Sequence, residues 1–280
     1  VTVCARGSRV LSLAGVLAAW VTPAHGAPTS ELRAVFPYRD AEFLSPGETG
    51  GGLAIVPGEV AAGARAPLVV LLHGVDMDQT LHMWLGARNF PDLAALAGDE
   101  IRRGALPPFI LAAPSQTKNA ASGHRMWEGF DLDDFVRAVD AAVGGRATID
   151  REAVIVIGHS GGGCNPQGGL LRVARAPSLI VPRALLAIDT CMDEESGAAL
   201  GSAPSSAAVW VRWQTEIWPR PIDRFRAAFT QAAATSGHEE GIFQAVTGLT
   251  EPVHEMILAD TFTTVLPKLL RAIPVRPGPD

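Results

Sequence analysis

The strongest constraint in this chain is Val154-Ile155-Val156-Ile157-Gly158-His159-Ser160-Gly161-Gly162-Gly163, four β-branched residues running straight into a glycine-flanked serine. A run that is apolar at every position reads as a short strand buried on both faces, as in a parallel sheet covered on each side by helices. The chain must then turn sharply. Gly158 and Gly162 stand two residues either side of Ser160, where side chains would collide with the neighbouring strand and helix if Ser160 is held in a strained tight turn. The pentapeptide fits G-x-S-x-G, a strand-to-helix turn that presents a serine hydroxyl at the carboxyl end of a sheet, facing backbone amides. Nucleotide-binding folds also use glycine-rich turns, but G-x-G-x-x-G is absent, since His159 and Ser160 fill the interval between Gly158 and Gly161.

The rest of the chain supplies what such a strand needs. Leu68–Leu72, Phe109–Ala113, Ala184–Ile188, Ala207–Trp213 and Ile242–Val246 read as further strands, and Leu32–Phe36 with Gly52–Val56 reads as an opening hairpin. Helical patterns fall between them, through Leu93, Leu96 and Ile101, over Asp134–Val143, Leu170–Ala174 and Ile222–Ala234, with a last one near Thr263–Ile273. Strands alternating with helices specify an α/β fold with a mostly parallel central sheet and helices on both faces. At 280 residues and 48% hydrophobic content the chain has ample material for one large core. The net charge of −6 comes with no basic stripe, which argues against nucleic acid as a partner.

The amino terminus reads as an export signal. Arg6 and Arg9 precede a 12-residue apolar run, Val10–Val21, and small residues follow at Ala24, Gly26 and Ala27. That run is too short to span a bilayer comfortably. The expectation is a signal peptide over 1–26, a single domain over 27–280, no stable membrane anchor after cleavage, and a secreted or periplasmic location. Cys164 and Cys191 would then sit where disulfides persist.

The order of elements, with Ser160 after the fifth strand, resembles the α/β-hydrolase family over about Leu32 to Ile273. The carrying residues are the Gly158–Gly162 pentapeptide, Leu71-Leu72-His73-Gly74 after the third strand, and the late histidine in Pro252-Val253-His254. The resemblance implies an α/β-hydrolase fold without a large cap, a serine hydrolase chemistry, and no cofactor. It also implies that Val75 and Gly161 supply the oxyanion-hole amides.

A serine hydroxyl needs an imidazole to take its proton and an acid to hold that imidazole in the correct tautomer. The family order of serine, acid, histidine leaves His238 and His254, and His254 lies on the loop expected after the last strand. His238 stands before that strand beside Glu239 and Glu240 and reads as a solvated loop residue. The acid is either Asp189, which closes the buried strand Leu185-Leu186-Ala187-Ile188, or Glu216, in the position most members use. A carboxylate ending a buried strand is expensive unless it has a function, which favours Asp189 and leaves Asp193 a distant third.

Asp76, Asp78 and His82 lack the closed ligand set of a zinc site and the oxygen-rich loop of a calcium site, so no metal is expected. Trp84, Trp127, Trp213 and Trp218, with Arg125, Arg212 and Arg220, suggest an aromatic groove with cationic spots. The expected substrate is a small-molecule or polymeric ester, with amides or cell-envelope peptides as the alternative and a non-catalytic binding protein as the reading from another class. Cys164, four residues after Ser160, and Cys191, two after Asp189, emerge at one edge of neighbouring strands. A disulfide with a Cα separation of about 5 to 6 Å is within reach there.

Overall fold

In the computed structural model the described residues are 30–86, 91–238 and 241–273. The export segment expected at 1–26 lies outside them. The elements follow in the order β1 (Leu32–Phe36), α1 (Asp40–Phe43), β2 (Gly52–Val56), β3 (Arg65–Leu72), α2 (Leu93–Arg102), β4 (Ile110–Pro114), α3 (Leu132–Val143), β5 (Thr148–His159), α4 (Gly169–Arg175), β6 (Ala184–Ile188), α5 (Glu194–Gly201), β7 (Ala208–Gln214), α6 (Ile222–Ser236), β8 (Ile242–Val246), α7 (Val253–Thr264) and α8 (Leu266–Arg271).

The strands form one eight-stranded sheet in the order β1-β2-β4-β3-β5-β6-β7-β8. β1 and β2 pair antiparallel, β2 meets β4 antiparallel, and every pairing from β4 onward is parallel. The all-apolar strands are central because both faces need cover. β5 lies between β3 and β6, with Leu72 opposite Gly158 and His159 opposite Ile188. That register brings His73, Ser160 and Asp189, each next after its strand's last ladder pairing, to one edge of the sheet.

Two buried apolar layers flank the sheet. One is filled by Phe135, Val136 and Val139 of α3, Leu170 and Leu171 of α4, and Phe225 and Phe229 of α6. The other takes Leu93 and Ile101 of α2, Ile257, Leu258 and Phe262 of α7, and Leu266 and Leu270 of α8. The helices start where their sequences say they should. Asp92 accepts hydrogen bonds from the amides of Ala94 and Ala95, and Asp131 accepts one from Asp134 N–H. α6 ends on Gly237 at φ 66°, a left-handed position that glycine occupies without strain.

Three expectations change. The chain after Ser160 does not enter a helix directly: a 3-10 turn, Ser160–Gly163, comes first and α4 begins only at Gly169. The glycines there serve close approach rather than helix geometry, since a Cβ on Gly162 would lie 2.2 Å from the carbonyl oxygen of Leu72. The last helix is two helices, so His254 is the second residue of α7 rather than a loop residue. α5 fills the interval between β6 and β7 and packs on α6, with Gly197 and Gly201 against the backbone of Phe225 and Phe229.

Candidate active site

Ser160 has φ 50°, a left-handed backbone that a non-glycine residue adopts only under constraint. The constraint is packing. Gly158 is hemmed in by Leu170 and the Gly162 carbonyl, and Gly74 lies so close that a Cβ there would stand 2.4 Å from Ser160 Cβ and 3.0 Å from its Oγ. The serine is half-buried, with the His73-Gly74 loop against its side chain.

Asp189 follows β6 with φ 47° and is fully buried. Its Oδ2 lies 2.5 Å from His254 Nδ1, and Nη2 of Arg220 is 3.1 Å from its Oδ1. Arg220 Nε also donates to Oδ1, at 3.2 Å, and Nη2 to the Asp189 carbonyl, at 3.0 Å. Burial pushes this carboxyl upward, but the hydrogen bond with His254 and the Arg220 charge outweigh it, so Asp189 titrates below its ordinary range. With Nδ1 engaged on a carboxylate, the ring nitrogen that His254 has left for a further partner is Nε2.

Glu216 does not reach this histidine. Its Oε1 accepts the Gly248 amide at 2.8 Å and ties two exposed loops together. Asp193 caps α5 by accepting from Ser196 N–H. His238 Nε2–H donates to the Ala207 carbonyl, at the far end of β7 from Gln214.

Val75 and Gly161, the residues expected to supply oxyanion amides, come close together. A Cβ on Gly161 would come within 3.2 Å of Val75 N, which puts the Val75 amide beside the residue that follows the serine. The Val75 loop is braced from below. His73 is buried, its Nδ1–H donates to the Gly74 carbonyl at 2.8 Å, and its Nε2 accepts from Gln116 N–H at 3.0 Å. Trp127 Nε1–H donates to the His73 carbonyl at 2.9 Å, while the Trp127 amide donates to Gln116 Oε1. Burial holds the His73 imidazole below its ordinary range, which keeps it the neutral Nδ1–H form these bonds need.

His159 is the sequence feature whose part the motif alone does not give. Its Nε2–H donates to the His254 carbonyl at 2.8 Å, and its ring lies 4.5 Å from the His254 ring. Burial, then the neighbouring His254, push its pKa down to about 3, so it stays neutral. It supports the first turn of α7 at His254.

The tryptophan groove is corrected. Trp84 and Trp127 are core residues at 3% and 0% exposure, and Trp213 packs against the core from β7. Trp218 is the most exposed of the four, with its ring 4.9 Å from that of His254. Arg212 is also buried, binding Asp260 and Thr261 of α7. Asp76 accepts the amides of Asp78 and Thr80 and so shapes its own loop. Among the described residues no cluster of three His, Cys, Asp or Glu could hold a metal, and no helix is long and apolar enough to cross a membrane.

Cys164 and Cys191 are joined in a disulfide with Cα atoms 5.2 Å apart. The Cys191 amide donates to Cys164 Sγ at 3.1 Å, and the bridge joins the segment after the serine to the segment after the acid.

Solved structures share this architecture. A ferulic acid esterase aligns over 79% of this chain and 92% of its own with a TM-score of 0.56 at 17% identity. The feruloyl esterase module from Clostridium thermocellum, complexed with sinapinate, aligns over 86% and 88% with a TM-score of 0.52 at 11% identity. A thermostable esterase aligns over 84% of this chain and 60% of its own with a TM-score of 0.53 at 18% identity. No family model and no curated protein matches the chain. The class of molecule is set by its architecture: an eight-stranded sheet with the α/β-hydrolase fold and, among the described residues, no cap. Within that class, this chain carries a strained serine, a buried aspartate–histidine pair and, beside the serine, the closely approaching Val75 and Gly161 backbones at one edge of its sheet.

Proposed function

We propose that the protein is an exported serine hydrolase that cleaves carboxylic esters through an acyl-enzyme at Ser160. The observation that carries this reading is the Asp189–His254 contact of 2.5 Å beside a serine in a strained turn. In acylation Ser160 Oγ attacks the ester carbonyl while its proton passes to His254 Nε2, and Asp189 holds Nδ1–H and stabilises the imidazolium. The Val75 and Gly161 amides donate to the oxyanion, where preorganised donors are worth about 3 kcal/mol each. The carbonyl then reforms, the C–O bond to the alcohol breaks, and the imidazolium returns its proton to the leaving oxygen. Water then attacks the acyl carbonyl as its proton passes to His254 Nε2, the bond from the acyl carbon to Ser160 Oγ breaks, and the imidazolium returns the proton to Oγ, releasing the acid and free Ser160.

The uncapped edge suits small or polymeric esters. Export is supported by the basic start, apolar run and small-residue exit of residues 1–26 and by the disulfide. A fluorophosphonate probe on wild type and Ser160→Ala is the test. The reading expects labelling that vanishes in the variant, and no labelling of folded wild type defeats it.

A further inference from the structure

Among the described residues, eight large apolar side chains remain exposed, and four of them stand on two loops at the edge that carries Ser160. Val75 and Met77 follow β3, and Ile217 and Trp218 follow β7. Trp218 is the one placed by charge as well as by apolarity. It is 46% exposed, yet Arg220 lies over its ring at 5.4 Å while holding Asp189 through Nε and Nη2. The ion pair fixes this loop to the triad, and the indole meets the His254 ring at 4.9 Å and 77°. An exposed tryptophan held in place beside a catalytic base is a preformed wall awaiting a partner.

Which part of an ester meets that wall follows from the chemistry. The imidazolium of His254 must deliver its proton to the oxygen that departs, so the alcohol carbon sits one covalent bond beyond an oxygen within hydrogen-bond reach of Nε2. The carbonyl oxygen points instead to the Val75 and Gly161 amides. His159 packs on the same ring from the buried side, so the exposed indole of Trp218 is the neighbour of His254 placed to meet the alcohol portion.

We infer that Trp218 lines the leaving-group subsite and that the preferred substrates are esters whose alcohol portion is aromatic or otherwise flat and apolar. This rests on the hydrolase reading above. Trp218 is a specificity-determining residue here, and proton transfer does not pass through it.

The test compares kcat/KM, which reports acylation, for methyl, n-butyl and benzyl acetate and for methyl acetate, butyrate and hexanoate, in wild type, Trp218→Ala and Trp218→Phe. The Ala variant is expected to lose about tenfold on benzyl acetate relative to methyl acetate, the scale of one aromatic contact. The Phe variant restores most of that loss, and the acyl series moves together in all three proteins. An equal loss across the alcohols, or a loss that grows with acyl length, overturns the assignment while Ser160-dependent turnover persists. Absence of Ser160-dependent turnover of every ester defeats the hydrolase reading itself.

Discussion

Asp189 and Arg220 form an ion pair around a carboxylate that is fully buried, yet one oxygen is kept for the imidazole: Arg220 holds Oδ1 and His254 holds Oδ2. A buried carboxylate with one donor would be under-satisfied and free to rotate. With two, it is both paid for and oriented. The guanidinium comes from the loop after β7, the very loop that carries Glu216.

That division of labour makes the acid testable. Asp189→Asn is expected to lower kcat about ten-thousand-fold, because the amide would stabilise the wrong imidazole tautomer. Glu216→Gln should stay within about tenfold, since it exchanges one acceptor for another at the Gly248 amide. Steady-state kinetics on a short-chain ester separate the two. A dead Glu216→Gln with a live Asp189→Asn would reverse the assignment.

Gly74→Ala should abolish Ser160 labelling while the protein stays folded. The added methyl would lie 2.4 Å from Ser160 Cβ, so the loop bearing the Val75 amide must move away from the nucleophile. Removing one oxyanion donor costs about 10²- to 10³-fold in kcat. Wild-type probe reactivity in a folded Gly74→Ala variant would show that the Val75 loop is not coupled to Ser160.

The sheet and the serine turn were legible because apolar runs and glycine spacing record steric demands directly. Asp189 could be weighed over Glu216 from the cost of ending a buried strand on a carboxylate. Less was legible where a role depends on long-range packing. Trp84, Trp127 and Trp218 look alike in sequence, and only the fold shows that two face the core and one the base. The Arg220 contact spans 31 positions, and nothing local in Trp218-Pro219-Arg220 announces it. His254 looked like a loop residue because Pro252 suggested a break, whereas Pro252 stands at the N-cap position of α7.

Stability should fall as the pH drops below about 6.5, because His159 is buried neutral. Its folded pKa of about 3 lies below the ordinary 6.5, so the unfolded chain takes up a proton that the folded chain refuses. Stabilisation is therefore complete above 6.5 and declines toward 3, by about 1.4 kcal/mol per pH unit for such a group. His73, also held down by burial, acts in the same direction. His159→Gln can keep a donor for the His254 carbonyl without titrating, so its Tm should change less between pH 6.5 and 4.5. Parallel Tm curves for the two proteins would remove His159 from the account.

The disulfide offers a measurement of how firmly the nucleophile and acid segments are tied. Cys164 and Cys191 are 27 positions apart, and closing such a loop restricts the unfolded chain by about 3 to 4 kcal/mol in the chain-entropy model. Much of that should be lost in Cys164→Ser/Cys191→Ser, read as a lower urea midpoint with a somewhat steeper slope, since the unfolded chain without the bridge exposes more surface. Reductant should move wild type to the same midpoint and leave the double variant where it is. The catalytic consequence is local, because the bridge lies four residues after Ser160 and two after Asp189: the variant should lose activity at temperatures below its unfolding transition, before global structure is lost. Non-reducing peptide mapping must first show the Cys164–Cys191 link in wild type. A linked protein whose midpoint ignores reductant would mean that the bridge adds nothing to what the β5–β6 pairing already holds.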